Sequence, residues 1–150
     1  MRKIFLTFFY TGLLPKAPGT WGTIAGAIFA VLILHFLGNE TLFLCTILLT
    51  VIAINEINKE EKQSGIHDNS EIVIDEVAGI WLAISMSGAT LTQIILCVLY
   101  FRLFDIWKPS VIGRIDREVK GGVGVMGDDL LAGVFAAICS AGTYQVISYF

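Results

Sequence analysis

Five stretches of this chain are apolar enough to shun water: about 22–37, 41–54, 72–87, 91–107 and 128–148. With only 150 residues there is no second layer of protein to hide all five. Hydrophobic residues make up 55% and charged residues 15% of the chain, against about 25% charged in soluble domains. The pattern predicts an all-α fold, a small polytopic membrane bundle of about five apolar helices within one domain spanning 1–150. At about 1.5 Å per residue the first two stretches are short for a bilayer core of about 30 Å, so flanking residues must lengthen them. The 72–87 and 91–107 stretches flank Ser87-Gly88-Ala89-Thr90 and make either two full spans or a re-entrant hairpin. Both arrangements return their charged ends to the same side.

Threading the stretches as hairpins puts all 10 Lys and Arg on one side, with every one of the 13 acids there except Glu40. Lys and Arg favour the cytoplasmic side, so this is expected to be the inward face, with the C-terminus on the other. One inert end and one chemically equipped end favour an enzyme acting on charged lipid heads. Transporters instead distribute ionisable groups through the membrane depth. The net charge of −3 gives no reason to expect nucleic-acid binding. Residues 1–16 begin Met1-Arg2-Lys3 and continue apolar, but lack a small-x-small cleavage site. They read as an interfacial segment. Cys45, Cys97 and Cys139 lie far apart inside apolar runs and read as buried thiols, not a disulfide or zinc set. Gly22, Gly26 and Ala30, then Gly133, Ala137 and Ala141, form small-residue stripes suited to close helix packing within the bundle.

Three polar clusters carry the chemistry. Asp75-Glu76 is embedded between Ile72-Val73-Ile74 and Val77-Ala78. Charges so placed are expensive and usually functional, and such hard oxygen ligands suit Mg²⁺. Arg102, Asp105 and Lys108 recur at i, i+3 and i+6 before Pro109. They read as a surface ion-pair ladder, or as a metal carboxylate flanked by two phosphate binders. Gly121-Gly122-Val123-Gly124 precedes Asp128-Asp129. It reads as a loop whose N–H groups converge on an anion, followed by a helix that one of the two acids caps while the other faces the cluster. His67-Asp68 adds a possible base or relay. The Cys-x5-Arg, Asp-x-Asp-x-Thr and Asp-Gly-x2-Ala-Arg signatures of other phosphoryl-transfer enzymes are missing. A carboxylate-rich, metal-assisted site remains.

Taken in order, these segments resemble the phosphatidylglycerophosphatase A family. The resemblance rests on Pro18-Gly19-Thr20-Trp21-Gly22, His67-Asp68, Ile72-Val73-Ile74-Asp75-Glu76 and Phe101-Arg102-x-x-Asp105-x-x-Lys108-Pro109, then on the glycine run through Asp128-Asp129 to Gly133. Mild departures occur at Thr23, Asn69 and Ser110. The resemblance implies a Mg²⁺-dependent phosphatase of the bacterial cytoplasmic (inner) membrane. Its substrate would be phosphatidylglycerophosphate, drawn from the surrounding membrane lipids. On that reading Asp75, Asp105 and one of Asp128 and Asp129 hold Mg²⁺, with Glu76 as ligand or base and His67-Asp68 as relay. Arg102, Lys108 and the N–H groups of Gly121, Gly122 and Gly124 bind phosphate. The rivals are a small ion or proton transporter, a structural membrane protein, and a phosphotransferase passing the group to another alcohol.

Overall fold

A hydrogen-bonded helix is the simplest way for an apolar segment to satisfy its own backbone away from water, and the described residues of this chain form helices and no strands. The structure, a computed structural model, describes residues 1–66 and 69–150. Seven α-helices follow in order: α1 (Arg2–Leu6), α2 (Pro18–Leu37), α3 (Asn39–Ser64), α4 (Ile74–Ser87), α5 (Leu91–Trp107), α6 (Val111–Glu118) and α7 (Gly121–Tyr149). Five of them are long, as the apolar stretches predict. Among the described residues three, α2, α3 and α7, are long and apolar enough by themselves to cross a membrane. Their outward faces remain apolar: Ile28, Leu32, Leu44, Leu48, Ile138 and Val146 are all exposed. A lipid solvent explains this distribution and water does not.

The turns are set by residues that leave the helical backbone cheaply. Pro18 occupies the first position of α2, where its missing N–H is no loss. Gly38, at φ +87°, ends α2 and starts α3 in a single residue. Gly88, at φ +124°, ends α4, and Thr90 with Gln93 forms a reciprocal capping box that starts α5.

α4 is the central element, packed by α2, α3, α5 and α7. Of its 14 residues, only Glu76, Leu82 and Met86 escape full burial. Glycines let the neighbours approach. A Cβ on Gly22 would stand 2.6 Å from Val73 Cβ, and one on Gly26 would stand 3.2 Å from Val77 Cα. Gly133 of α7 rides directly on the Gly79 carbonyl. The small-residue stripes therefore serve packing within the bundle, as expected. The Trp81 indole N–H donates to the Gly26 carbonyl at 2.8 Å, and the Asn39 amide donates to the Ser85 carbonyl at 3.0 Å. This last contact brings the far end of α4 to the α2–α3 turn. The α4–α5 hairpin thus reaches the level of that turn.

Two expectations need correction. The glycine run 121–127 is not a loop: it forms the first two turns of α7, one continuous 29-residue helix. The polar connection after Pro109 also contains a helix, the short α6, which anchors through Ile112 and Gly113.

Candidate active site

Four helices, three of them through charged residues, converge on one cavity of about 270 Å³. Asp75 and Glu76 enter from the first turn of α4, Arg102 and Asp105 from the last turns of α5, and Asp128 and Asp129 from the third turn of α7. Lys108, at the left-handed C-cap of α5 with φ +46°, turns its amine back into the same space. Pro18 and Gly19, at the start of α2, close one wall.

Oxygens of Asp75, Glu76 and Asp129 all lie within 4.8 Å of one another. Asp75 is 8% and Asp129 3% exposed, and Glu76 beside them is half-buried, so the three carboxylates share a space with little access to water. Glu76 Oε2 is buried with no hydrogen-bond partner among the described residues. A buried, unpaired carboxylate oxygen on a residue grouped with two other carboxylates is a costly arrangement for the bare protein. It is the donor set that a hard divalent cation wants. The group fits a metal.

Bases border the trio. Arg102 pairs with Asp105, which lines the same cavity as Asp129. Lys108 Nζ pairs with Asp116 and stands 2.7 Å from Asp128 Oδ2. Burial pushes the Lys108 pKa down, but its hydrogen bonds to Asp116 and Asp128 outweigh that and raise it above its ordinary value. It therefore stays a cation across the working pH range. Arg102 Nε is buried and unpartnered among the described residues, which leaves a donor available to an oxyanion. Gly19 comes so close to Glu76 Oε1 that a Cβ there would collide with it and lie 3.2 Å from Arg102 Nη1.

Against the sequence reading, Asp75, Glu76, Arg102, Asp105, Lys108, Asp128 and Asp129 do come together. The division of labour differs from the expected one. The trio able to share one ion contains Glu76, whereas Asp105 and Asp128 are each engaged by a base. Neither Asp128 nor Asp129 caps a helix, because α7 begins at Gly121. The expected glycine cradle does not form either. The Gly122 N–H is taken by Asn58 Oδ1 at 2.8 Å, Gly122 packs on the Ile54 backbone, and of the three glycines only Gly124 lines the cavity. Asp116 reaches the cavity through Lys108 and was not anticipated. Its signal was faint, an acid i+8 from Lys108 across a proline. His67 and Asp68 lie outside the described residues; Ser70 and Ile72, just after them, line the cavity.

An acidic trio flanked by held cations, at one end of a bundle of apolar helices, defines a membrane-embedded enzyme built to handle phosphate. The family model described as Phosphatidylglycerophosphatase A matches residues 4–144, and the chain belongs to that family; it is a phosphatase. A Haemophilus influenzae protein named Phosphatidylglycerophosphatase A is 37% identical over 87% of this chain and 80% of its own length. An Escherichia coli protein of the same name is 36% identical over 86% of this chain and 75% of its own length. A Bacteroides thetaiotaomicron protein, provisionally named a phosphatidylinositol-3-phosphatase, is 38% identical over 94% of this chain and 92% of its own length. No solved structure matches.

Proposed function

We propose that this protein is a Mg²⁺-dependent lipid phosphatase of the bacterial inner membrane, with its site at the cytoplasmic face. It hydrolyses the terminal phosphate monoester of phosphatidylglycerophosphate to phosphatidylglycerol and phosphate, in glycerophospholipid biosynthesis. The observation that carries the reading is the buried trio Asp75, Glu76 and Asp129 with Arg102 and Lys108 around one cavity. The family's name and the relatives from Haemophilus influenzae and Escherichia coli supply the substrate.

Asp75, Glu76 and Asp129 hold the Mg²⁺, which when bound supplies the positive charge that lets a phosphate dianion sit beside buried carboxylates. Lys108, kept charged by its two acids, binds phosphate oxygens and does not act as an acid. The free Nε–H of Arg102 offers a second donor to the same group. A water oxygen bonds to phosphorus as the bond from phosphorus to the glycerol oxygen breaks. Asp105 lines the same cavity without belonging to the trio, and we assign to it the proton that the water gives up and that the departing glycerol oxygen takes. Positioning and charge neutralisation supply most of the rate in such transfers.

The test is phosphate release by purified protein from phosphatidylglycerophosphate, phosphatidic acid and phosphatidylinositol-3-phosphate, each with Mg²⁺ and with chelator. Preferred turnover of the first lipid, lost with chelator, is expected; equal rates with chelator would remove the metal from the reading. The Bacteroides thetaiotaomicron relative, aligned over nearly its full length, favours a second reading in which the phosphate sits on an inositol ring. Preferred turnover of the third lipid would select it.

A further inference from the structure

A lipid whose phosphate enters the polar cavity still has acyl chains to place. Two helices that wall the cavity also wall a second space. Pro18 and Gly19 of α2 and Arg102 and Asp105 of α5 line the polar site. Farther along the same helices, Ile24, Ile28 and Val31 of α2 face Ile95, Val98 and Leu99 of α5 across an apolar groove of about 300 Å³. The order of residues makes the two spaces consecutive. α2 runs away from the cavity from Gly19 to Ile24 to Val31, while α5 approaches it from Ile95 to Leu99 to Arg102. The gap is five residues on α2 and three on α5, or about 7.5 Å and 4.5 Å at 1.5 Å per residue. At the junction the Arg102 guanidinium reaches α2, with Nη1 3.2 Å from where a Gly19 Cβ would be.

The groove carries no polar group on its lining, and most of its side chains are exposed, including Ile28, Ile95 and Leu99. Residues 21, 24, 28 and 31 fall at i, i+3, i+7 and i+10, one face of α2. Trp21 therefore stands on the groove's own stripe, between its apolar part and Gly19, at 44% exposure. A tryptophan at the junction of apolar and polar zones is where such a side chain settles in a membrane protein.

We propose that the α2–α5 groove is the acyl-chain subsite of the lipid substrate, with the glycerol backbone passing Trp21 and Arg102 so that the phosphate alone leaves the bilayer environment. The inference rests on the lipid-phosphatase reading above and deepens it. Lipid tails are as apolar as the groove, so moving a chain between them gains little. The groove's contribution is alignment of the phosphate with the site. It therefore distinguishes a phosphate lipid held at the site from the annular lipid around it.

The test uses the purified full chain in detergent micelles, with phosphatidic acid carrying a photoactivatable diazirine in one acyl chain. The same probe with a phosphocholine head is the reference. The acid probe is expected to label peptides 24–31 and 94–99 about tenfold more than the phosphocholine probe, the ratio that a headgroup preference of about 1.4 kcal/mol gives. Val31→Trp with Val98→Trp should reduce that labelling to the reference level. Val51→Trp, on an exposed face of α3, should leave it unchanged. Equal labelling by the two probes, labelling unaffected by the groove-filling pair, or labelling centred instead on the N-terminal aromatic residues would overturn the proposal. The photolabelling needs no turnover. A protein that captures the acid probe in the groove yet releases no phosphate from phosphatidylglycerophosphate would sink the enzymatic reading and leave the subsite standing.

Discussion

Asp75, Glu76 and Asp129 set the terms for what single substitutions should do. Three carboxylates within 4.8 Å and with little access to water repel one another, so the metal-free protein pays for its site in stability. Asp129→Asn should therefore raise the melting temperature in chelator while lowering phosphate release at least about 100-fold. The wild type should gain stability on adding Mg²⁺, because an ion that binds only the folded form shifts the equilibrium toward it. Asp129→Asn should lose that gain. A thermal scan with and without Mg²⁺ separates the two effects, and an unchanged Mg²⁺ response in the variant removes Asp129 from the metal set. Asp75→Asn should likewise abolish turnover without preventing membrane assembly, and wild-type activity in that variant would take Asp75 out of the chemistry. Lys108 behaves in the opposite sense. Its amine satisfies Asp116 and the buried Asp128 together, so Lys108→Met strands an acid that is 4% exposed. The expected loss is about 2 kcal/mol, measured by denaturant unfolding, with much of it recovered in the Lys108→Met, Asp128→Asn double variant.

The helices place these side chains by how closely their backbones approach. Gly133 of α7 rests on the Gly79 carbonyl of α4, and a Cβ on Gly79 would stand 2.7 Å from the Asp129 carbonyl. Gly133→Ala should push α7 off α4 one turn below Asp129. Overpacking of this kind costs about 1–3 kcal/mol, and a carboxylate displaced by about 1 Å can lower the rate about 100-fold. The kinetic loss should exceed that of Gly142→Ala, since a Cβ on Gly142 meets nothing within 4 Å; equal rates in the two variants would deny the packing argument. The same glycines show where sequence alone misleads. Gly121, Gly122 and Gly124 look like a loop because glycine is a poor helix former in water. Here they let α7 begin against the Ile54 backbone and the Val119 carbonyl, a tertiary demand that no local pattern announces. Moving the start of α7 back to Gly121 also turned Asp128 and Asp129 from expected caps into interior residues. The apolar runs were legible because a lipid solvent imposes length and composition directly. The acids and bases were legible because charges beside such runs are rare. Asp116 was not, since α6 buries only Ile112 and Gly113 and its polar sequence resembles a solvated loop.

At the scale of the whole molecule, the remaining question is how the bundle lies in the membrane, and the geometry makes a sharp demand. If each of α2, α3 and α7, all long and apolar enough to cross, does so, they make three crossings, and the α4–α5 hairpin adds two or none. The N-terminal segment and the tail after α7 must then face opposite sides under either reading. The hairpin itself is decided by depth. Asn39, first residue of α3, donates to the Ser85 carbonyl near the end of α4, so the Gly38 and Gly88 turns share one level at the end remote from the cavity. If Glu40 lies outside the cell, the side that the charge distribution favours for it, Ala89 lies there too. Ala89→Cys should react with a membrane-impermeant maleimide added to intact cells, as should a cysteine placed at Glu40. The native Cys45, Cys97 and Cys139 sit within helices and are buried or half-buried, so the unsubstituted chain gives the background. A cysteine at Arg114, exposed on α6 beside the site, should react only after the cells are opened. Labelling of Arg114→Cys in intact cells would invert the orientation. Labelling at Glu40 but not at Ala89 would deny that the two turns share one level and show that the α4–α5 hairpin stops short of the far face.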